Sequence, residues 1–314
     1  MTGTPPLASI IIANWNGQAF LPRCLAALQA QTYRHHEVIL VDNASSDDSV
    51  AYVRRHFPVV TIVQSTRNRG FIGGTILGLR HARGTWVALL NNDTVADPHW
   101  LEALLAAAQP PDVAGATGKV YALGEPARVL FTLPLIDRLT GRARWTIADP
   151  GPSDVHYLAG NNLIVKREVL AAVGFLDPDF GMYYEETDWC ARMIRAGYRL
   201  VYTPHAIIWH KEQGSTSLAT NRYLMERNRI RFVIKNFDPL FLALFVPLYA
   251  AEALRRLCHD RDEAGVALRP IIPRAIGWNL RHLPGTVRAR RRDLGRLRRR
   301  RSYNRSLPYH ARPL

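Results

Sequence analysis

The sequence has few cysteines and no long apolar run. Its 314 residues include three cysteines, Cys24, Cys190 and Cys258, whose odd number and wide spacing fit neither a disulfide framework nor a metal-binding cluster. This sparing use of cysteine favours a reducing compartment. No apolar run reaches the ~20 residues that a membrane-spanning helix needs. The N-terminus has no basic segment ahead of an apolar one, so we expect no signal peptide and a cytoplasmic location.

Acidic residues are also scarce. The chain has 26 acidic residues against 41 basic ones, which gives a net charge of +15, and 47% of its residues are hydrophobic, as in an ordinary globular protein. Between Arg269 and the C-terminus there are fourteen arginines, no lysine and one acid, Asp293, so this tail alone carries +13. The other 268 residues are nearly neutral, at about +2. The basicity therefore belongs to the tail.

Short apolar segments rich in β-branched residues alternate with helical patterns over the first third of the chain. The apolar segments predict strands at residues 8–13, 37–41, 59–64 and 87–90. The patterns that follow them predict helices at residues 20–31 and 49–56, one ending near residue 83, and one at 100–108. This alternation predicts an α/β fold with a mostly parallel central sheet, helices on both faces, and ligand-binding loops along one edge.

Polar residues follow each predicted strand, most clearly the fourth, which ends in Asn91, Asn92 and Asp93. Taken alone, this triplet is typical of an Asx turn. At the carboxyl end of a buried parallel strand, however, it lies where open α/β sheets bind their ligands. The glycine-rich residues 68–74 match neither a P-loop nor a dinucleotide-binding pattern, and they predict either a tight turn or a close backbone approach to a diphosphate.

The densest polar cluster of the chain opens a predicted helix with Glu185, Glu186 and Asp188. Acids in a first helical turn are typical of helix capping. Three carboxylates in four residues also raise the pKa of one of them, which suits a general base or a metal site. Downstream, His210 follows an apolar run, where a lone histidine is more often structural than a ligand.

Two further stretches carry no motif. Residues 121–152 are rich in Pro, Gly and Arg, and they predict a long loop or a hairpin over the ligand crevice. Residues 155–165 return to an apolar pattern that predicts a pair of strands around a small polar patch.

Five pieces in order resemble the inverting family 2 glycosyltransferases with the GT-A fold, particularly the bacterial rhamnosyltransferase-like branch. The resemblance covers roughly residues 7–230. It rests on Asn14-Trp15-Asn16-Gly17, Asp42-Asn43-Ala44-Ser45-Ser46-Asp47, Asn68-Arg69-Gly70-Phe71-Ile72-Gly73-Gly74, Asn91-Asn92-Asp93, and Tyr184-Glu185-Glu186-Thr187-Asp188 with Trp209-His210 downstream. No single piece is specific, but the five together are specific for the family and only weakly so for the sugar.

The resemblance implies a site for a nucleotide-sugar donor. Asn14 and Asp42 would hold the base and ribose, and Asn68 with the Gly70 backbone would lie near the ribose and diphosphate. The whole implied donor-binding set is Asn14, Trp15, Asp42, Asn68, Gly70, Asn91, Asn92, Asn161 and Asn162, of which the last two would line the sugar pocket.

The resemblance also implies a metal site and a general base. Asp93 and His210 would bind Mg²⁺ or Mn²⁺ together with phosphate oxygens. Glu186 would remove the proton of the acceptor hydroxyl, and Glu185 and Asp188 would bind sugar hydroxyls. The chain departs from the family twice. Asn91 stands at the first position of the Asp-x-Asp motif, and the base position holds Glu where many members have Asp, so Glu185 and Glu186 could exchange roles.

The composition changes after the region of resemblance, which predicts a catalytic domain at 1–230 and a helical basic extension at 231–314. Residues 237–257 are too short and too broken by proline to span a bilayer, and they predict either an interfacial helix or a buried one. With the arginine-rich residues 288–301, they suggest a peripheral anchor on the inner face of an anionic membrane. A solvated helix is the alternative, and a nucleic-acid surface is disfavoured because no aromatics are interleaved with the arginines.

These observations predict a metal-dependent inverting glycosyltransferase that builds a cell-surface polysaccharide from a nucleotide sugar, with dTDP-rhamnose as the best candidate donor and a glycan or lipid-linked glycan as acceptor. One alternative is the same chemistry with UDP-galactose or a UDP-N-acetylhexosamine. The other is a catalytically silent domain of the same fold that binds membrane or nucleic acid through its basic tail.

Overall fold

The computed structural model describes residues 8–211, 217–259 and 265–303. Residues 1–7, on which the prediction of no signal peptide partly rests, and residues 304–314 of the basic tail lie outside the described residues, as do 212–216 and 260–264.

The first third of the chain alternates strands and helices as the sequence predicts. The elements are β1 (Ala8–Asn14), α1 (Leu21–Gln29), β2 (His36–Asp42), α2 (Ser49–His56), β3 (Thr61–Gln64), α3 (Gly70–His81), β4 (Trp86–Leu90), β5 (Thr94–Ala96) and α4 (Trp100–Ala108). Their bounds agree with the predicted ones to within a few residues, because local apolar patterning decides where a buried strand begins and ends.

The rest of the chain adds further strands and then helices. The strands and short helices are β6 (Val113–Ala122), β7 (Glu125–Phe131), β8 (Pro134–Ile136), β9 (Ala143–Trp145), β10 (Ser153–Asp154), β11 (Asn162–Lys166), α5 (Arg167–Val173), a 3-10 turn (Pro178–Phe180), α6 (Glu185–Arg195) and β12 (Arg199–His210). Three long helices follow, namely α7 (Leu218–Asn236), α8 (Pro239–His259) and α9 (Ile271–Tyr303).

The large sheet has the strand order β10-β12-β6-β11-β4-β1-β2-β3. The run β3-β2-β1-β4 is parallel, as predicted. The other half is mixed, because β11 runs antiparallel to both β4 and β6, while β12 is parallel to β6. The sheet is buried on both faces. Ile10 and Ile12 pack with α1 and α4 on one side, and Ile11 packs with α3, α5 and α6 on the other.

The two stretches without motifs take a definite form. Residues 121–152 form the β6–β7 pairing and a separate β8–β9 hairpin, which agrees with the hairpin alternative. The strand pair predicted within 155–165 is wrong, because only β11 is a strand there. The backbone before β11 forms hydrogen bonds with other parts of the chain. The amide of Val155 donates to Leu200 O, and the amide of Leu158 donates to Cys190 Sγ.

The predicted domain boundary at residue 230 falls inside α7, which runs unbroken from Leu218 to Asn236. The last helix, α9, packs along α7 and α5. A buried cluster of charges joins them: Lys235 Nζ on α7 lies 2.7 Å from Asp177 Oδ2, 2.8 Å from Asp188 Oδ2 and 3.2 Å from Asp293 Oδ2 on α9. The one acid of the basic tail therefore ties α9 to the α/β unit.

The helix α8 presents an apolar surface to solvent. Leu240, Leu244, Val246, Leu248 and Leu254 are all exposed, and Leu240 is 69% exposed. Over the ranges that the structure covers, no helix has both the length and the apolar character needed to cross a bilayer.

Candidate active site

The first two strands end side by side and deliver two buried polar groups. Asn14 and Asp42 are paired in the register of β1 and β2, and both are buried. The side chain of Asp42 accepts a hydrogen bond from the Ser45 amide at 3.2 Å through Oδ2. Its other oxygen, Oδ1, has no hydrogen-bond partner within the described residues. A buried carboxylate oxygen without a donor is available for a hydroxyl group of a ligand.

Asn14 also links the first strand to the polar triplet after β4. Its Oδ1 accepts a hydrogen bond from Asn92 Nδ2 at 2.7 Å. The following loop passes directly over this pair, and a Cβ atom on Gly17 would collide with both side chains. Glycine is therefore required there for the loop to close over the strand ends. Beside it, Trp15 is half exposed, so its ring is accessible from solvent.

Asn43 is a residue of this edge to which the sequence analysis assigned no role. It is buried, its Nδ2 donates to Gly70 O at 3.2 Å, and its Oδ1 has no partner among the described residues. It thereby connects the end of β2 to the start of α3. The signal was present in the 42–47 motif, but only the folded chain shows that Asn43 and Gly70 meet.

The glycine-rich stretch opens α3. Asn68 Oδ1 accepts a hydrogen bond from the Gly70 amide at 2.8 Å, and Gly70 has a φ of +67°, which favours glycine. No atom lies within 4 Å of the position that a Cβ on Gly70 would occupy, so this helix start is open. The N-terminus of a helix of this length attracts anions such as a diphosphate.

Asp93 and His210 meet although 117 positions separate them in the sequence. Strand β5 pairs antiparallel with the end of β12, with His210 opposite Thr94, and the Lys211 amide donates to Asp93 O at 3.1 Å. The pairing places His210 Nε2 3.2 Å from Asp93 Oδ1, and both side chains are about one-fifth exposed. Asp93 Oδ1 is itself buried, and apart from this contact with His210 it has no polar partner among the described residues.

This pair fits a divalent cation. An unpartnered carboxylate oxygen and an imidazole nitrogen at one accessible point are the donors that Mg²⁺ or Mn²⁺ accepts. Across the described ranges, no group of three or more His, Cys, Asp or Glu side chains surrounds a common point. A cation here would therefore take its remaining ligands from a bound diphosphate and water. The backbone carbonyl of Asn91 accepts a hydrogen bond from Thr94 Oγ1 at 2.6 Å, which stabilises the turn between β4 and β5.

The acidic cluster begins after two strained residues. Tyr183 and Tyr184 both have a φ of 68°, which costs non-glycine residues of order 1–2 kcal/mol each. The side chain of Asn228 on α7 donates to Phe180 O, Met182 O and Tyr183 O, and so holds this loop. Tyr184 is fixed by its hydroxyl, which donates to Gly141 O at 3.0 Å. Strained backbone that is maintained by several surrounding hydrogen bonds is typical of functional sites.

Both glutamates of the cluster have raised pKa values. Burial raises the pKa of Glu186 to about 7. Burial, and then the charge of Glu186, raises the pKa of Glu185 well above its usual range. Glu186 therefore changes its charge near neutral pH, where a glutamate with an ordinary pKa is already fully ionised. Glu186 also lines a cavity of about 340 Å³.

Glu186 lies at the same edge of the sheet as Asp93. A Cβ at Gly160, in the turn before β11, would lie 3.8 Å from Glu186 Cγ. Asn162 at the start of β11 pairs with Leu90 at the end of β4, so Gly160 and Asp93 lie at the same ends of neighbouring strands. In the same turn, Asn161 Oδ1 is buried and has no partner among the described residues.

Two predicted site residues have structural contacts instead. Asn162 is fully buried, and its Oδ1 accepts a hydrogen bond from Trp100 Nε1 at 2.7 Å. Asp188 is also fully buried, and it bonds to Arg192, Lys235 and Asn236. On a helix, it points away from Glu186 and towards α7.

Comparison with known proteins decides the family. Residues 9–174, about half of the chain, match the sequence profile described as Glycosyl transferase family 2. The chain belongs to glycosyl transferase family 2. One relative is the N-acetylglucosaminyl-diphospho-decaprenol L-rhamnosyltransferase of Mycobacterium tuberculosis, which is 27% identical over 252 residues, or 71% of this chain and 82% of the relative. Glycosyltransferase AglE of Haloferax volcanii is 24% identical over 277 residues, or 82% and 88%.

Solved structures agree on the fold. The crystal structure of GalNAc-T7 with UDP, GalNAc and Mn²⁺ superposes with a TM-score of 0.63 at 16% identity, over 77% of this chain and half of GalNAc-T7. The mannosyltransferase PcManGT from Pyrobaculum calidifontis, in complex with GDP-Man and Mn²⁺, has a TM-score of 0.54 at 20% identity, over 98% of this chain and 78% of that one. The GT-A fold class with a helical C-terminal extension is confirmed.

Proposed function

We propose that this glycosyltransferase moves a sugar, with inversion and with a divalent cation, from a nucleoside-diphosphate donor to a glycan or lipid-linked glycan acceptor in the synthesis of a cell-surface polysaccharide. The observation that carries the proposal is the Asp93–His210 pair, 3.2 Å apart, at the sheet edge where Asn14 and Asp42 also end. The proposed donor is dTDP-rhamnose, which is supported by the L-rhamnosyltransferase activity named for the Mycobacterium tuberculosis relative.

The donor would lie across the carboxyl ends of β1, β2 and β4. Asp42 Oδ1 and Asn43 Oδ1, both buried and unpartnered within the described chain, are acceptors for the hydroxyl and N–H groups of the nucleoside. The open start of α3 at Gly70 would face the diphosphate. Asn161 Oδ1, beside Glu186 in the turn before β11, is an acceptor for a hydroxyl of the sugar.

Asp93 and His210 would hold Mg²⁺ or Mn²⁺, and both solved structures named above contain Mn²⁺. When bound, the cation supplies Lewis-acid neutralisation of the charge that develops on the departing nucleoside diphosphate. The protein's own contribution is to fix the two ligands through the β5–β12 pairing.

Glu186 is the proposed general base. An ionised Glu186 takes the proton of the acceptor hydroxyl as that oxygen bonds to C1 of the donor sugar, and the bond from C1 to the diphosphate oxygen breaks on the opposite side. Burial, and then the charge of Glu186, raises the pKa of Glu185 well above its usual range, which disfavours an ionised Glu185 as a competing base.

Replacing Asp93 with alanine tests the proposal. In a thermal-shift panel of UDP, dTDP and GDP with and without Mn²⁺, we expect one nucleotide to raise the melting temperature of the wild type only when the metal is present. Asp93→Ala should lose this shift, because it removes the carboxylate of the proposed metal site. A ligand present at 100 times its Kd stabilises by about 2.7 kcal/mol, which is readily measured.

The control for this experiment is Asp112→Ala, which removes an equal charge from an exposed pair with Arg199. It should keep the metal-dependent shift. The responding nucleotide identifies the base of the donor, so a response to UDP would replace dTDP-rhamnose with a UDP-sugar. If no nucleotide shifts the wild type, the proposal of an active transferase is wrong, and the domain becomes a binding module.

We also propose that the protein binds an anionic membrane surface through α8 and α9. The exposed leucines of α8 provide apolar area, and exposed arginines on α9, such as Arg274, Arg281 and Arg288, provide charge of the sign that anionic lipid attracts. A surface of this kind is suited to an acceptor that is linked to a lipid.

The membrane proposal predicts weaker vesicle binding by a Leu240→Ser/Leu244→Ser double variant. Each buried leucine contributes about 1.5–3 kcal/mol, so we expect more than a tenfold loss of partitioning in flotation with phosphatidylglycerol vesicles. Wild-type binding should be weak to phosphatidylcholine vesicles and should fall with added salt. Val59→Ser, an exposed apolar residue between α2 and β3, is the control and should bind as the wild type does. Equal binding by the double variant would contradict the proposal.

A further inference from the structure

A cavity of about 340 Å³ opens beside Glu186, between the acidic motif and two elements that carry no motif. One wall is the β8–β9 hairpin with Trp145, and the other is the first half of α7 with Leu218 and Arg222. Its volume falls in the ~300–1,000 Å³ range of small-ligand sites. Glu186 is on its inner surface, so whatever fills the cavity touches the proposed base.

Aromatic rings form much of the lining. Trp145, Tyr157 and Tyr183 all contribute, and Trp145 is 53% exposed. Aromatic faces bind the C–H faces of a pyranose ring while its hydroxyls reach polar groups at the edge. Tyr157 is held in place by burial and by its hydroxyl, which donates to Arg144 O at 3.5 Å in the hairpin that carries Trp145.

The lining contains one anionic and one cationic side chain. Glu186 is the carboxylate, and Arg222 on α7 is the cation. A guanidinium on the cavity wall attracts a phosphate group more strongly than it attracts the hydroxyl groups of a neutral sugar. The planar guanidinium of arginine binds two phosphate oxygens at once.

We propose that this cavity is the acceptor subsite of the transferase and that it takes a pyranose bearing a phosphate or diphosphate, with Trp145 against the ring and Arg222 on the phosphate. The assignment rests on the proposed function. In the reaction, Glu186 takes the proton of an acceptor hydroxyl, that oxygen bonds to C1 of the donor sugar, and the nucleoside diphosphate leaves with the electron pair of the broken bond. Trp145 and Arg222 position the acceptor without taking part in the proton transfer.

The test uses three acceptor probes made from the same sugar: an octyl glycoside, a glycosyl 1-phosphate and a glycosyl octyl diphosphate, each prepared with glucose, galactose and N-acetylglucosamine. Initial rates are measured with the full-length protein, the responding nucleotide sugar and Mn²⁺. We expect the phosphorylated probes to have the lower KM. Trp145→Ala should raise KM at least tenfold for every probe, and Trp145→Phe should recover most of that loss. Arg222→Gln should raise KM only for the phosphorylated probes, and Arg222→Lys should recover part of it.

Matched controls come from the exposed turn of the same hairpin, where Leu139→Ala and Arg138→Gln lie outside the cavity lining and should keep the wild-type KM. Equal use of the two phosphorylated probes identifies a soluble sugar phosphate, and preference for the octyl diphosphate identifies a lipid-linked acceptor. In either case, Arg222→Gln must remove the preference of the enzyme for the phosphorylated probes over the octyl glycoside. If the preference remains, the assignment of Arg222 to the phosphate is wrong.

Two results would overturn the inference while leaving the proposed function standing. One is an unchanged acceptor KM in Trp145→Ala. The other is a protein that shows the metal-dependent nucleotide shift and slow donor hydrolysis but glycosylates none of the probes. Loss of the nucleotide shift in the wild type would instead count against the proposed function itself.

Discussion

Replacing Glu186 with glutamine is expected to lower kcat by roughly 10²–10⁴-fold, the usual contribution of a general base. Glutamine has the shape of glutamate but cannot accept a proton at neutral pH. The metal-dependent thermal shift with the nucleotide should remain, because the proposed nucleotide site lies at Asn14, Asp42 and Asp93. Steady-state kinetics and the thermal-shift panel together measure the two effects separately.

The pH profile gives a second measurement of the same group. Burial raises the pKa of Glu186 to about 7, and a base works only when ionised. The rate should therefore be low at acid pH, rise through about pH 7, and level off above it. A carboxylate with an ordinary pKa would already have reached its plateau by about pH 5.5–6.

The matched variant is Glu185→Gln, which has the same change of side chain one position earlier. Burial raises the pKa of Glu185 and favours its neutral form, and a glutamine amide, like a neutral carboxyl group, can donate a hydrogen bond, so we expect a loss of less than tenfold. If Glu185→Gln is as damaging as Glu186→Gln, or more so, the two glutamates have the opposite roles.

Replacing Lys235 with methionine is expected to lower the free energy of unfolding by about 3–5 kcal/mol. Lys235 is 1% exposed, and its ammonium group contacts three carboxylates, those of Asp177, Asp188 and Asp293. Methionine keeps the apolar stem but leaves these buried charges with fewer partners. Equilibrium unfolding in urea, followed by circular dichroism, measures the difference.

Arg199→Met is the control for this prediction. Arg199 also bridges two carboxylates, those of Asp112 and Asp154, but all three side chains are at least half exposed. We expect its loss to cost at most about 1 kcal/mol. Equal costs for the two variants would show that the buried cluster does not hold α9 to the rest of the protein.

Acid should weaken the same cluster. Burial opposes the ionisation of Asp177, but Lys235 and Arg231 outweigh it and lower its pKa to about 2. The folded-state pKa thus lies below the unfolded value of about 4, so the stabilisation is present above pH 4 and is lost as the pH falls towards 2.

The local pattern of the sequence determined the first half of the sheet and its polar strand ends. A buried strand needs only a short apolar run, and the residue that follows it comes to the sheet edge because parallel strands end together. Asn14, Asp42 and Asp93 could therefore be placed before any coordinates. The order of the motifs then indicated the family, which the comparisons confirmed.

Tertiary structure alone decided which of the remaining polar residues face a ligand. Asn162 and Asp188 are as polar as their neighbours Asn161 and Glu186, but pairing across the sheet turns Asn162 to Trp100, and packing against α7 turns Asp188 to Lys235. The long-range β5–β12 pairing brings His210 to Asp93, and the β8–β9 hairpin meets α7 to enclose the cavity. These contacts join residues far apart in the chain, and no local pattern encodes them. The sequence thus determined where the strands of the first half of the sheet end. Long-range packing decided which of the polar side chains at those ends have no partner within the protein.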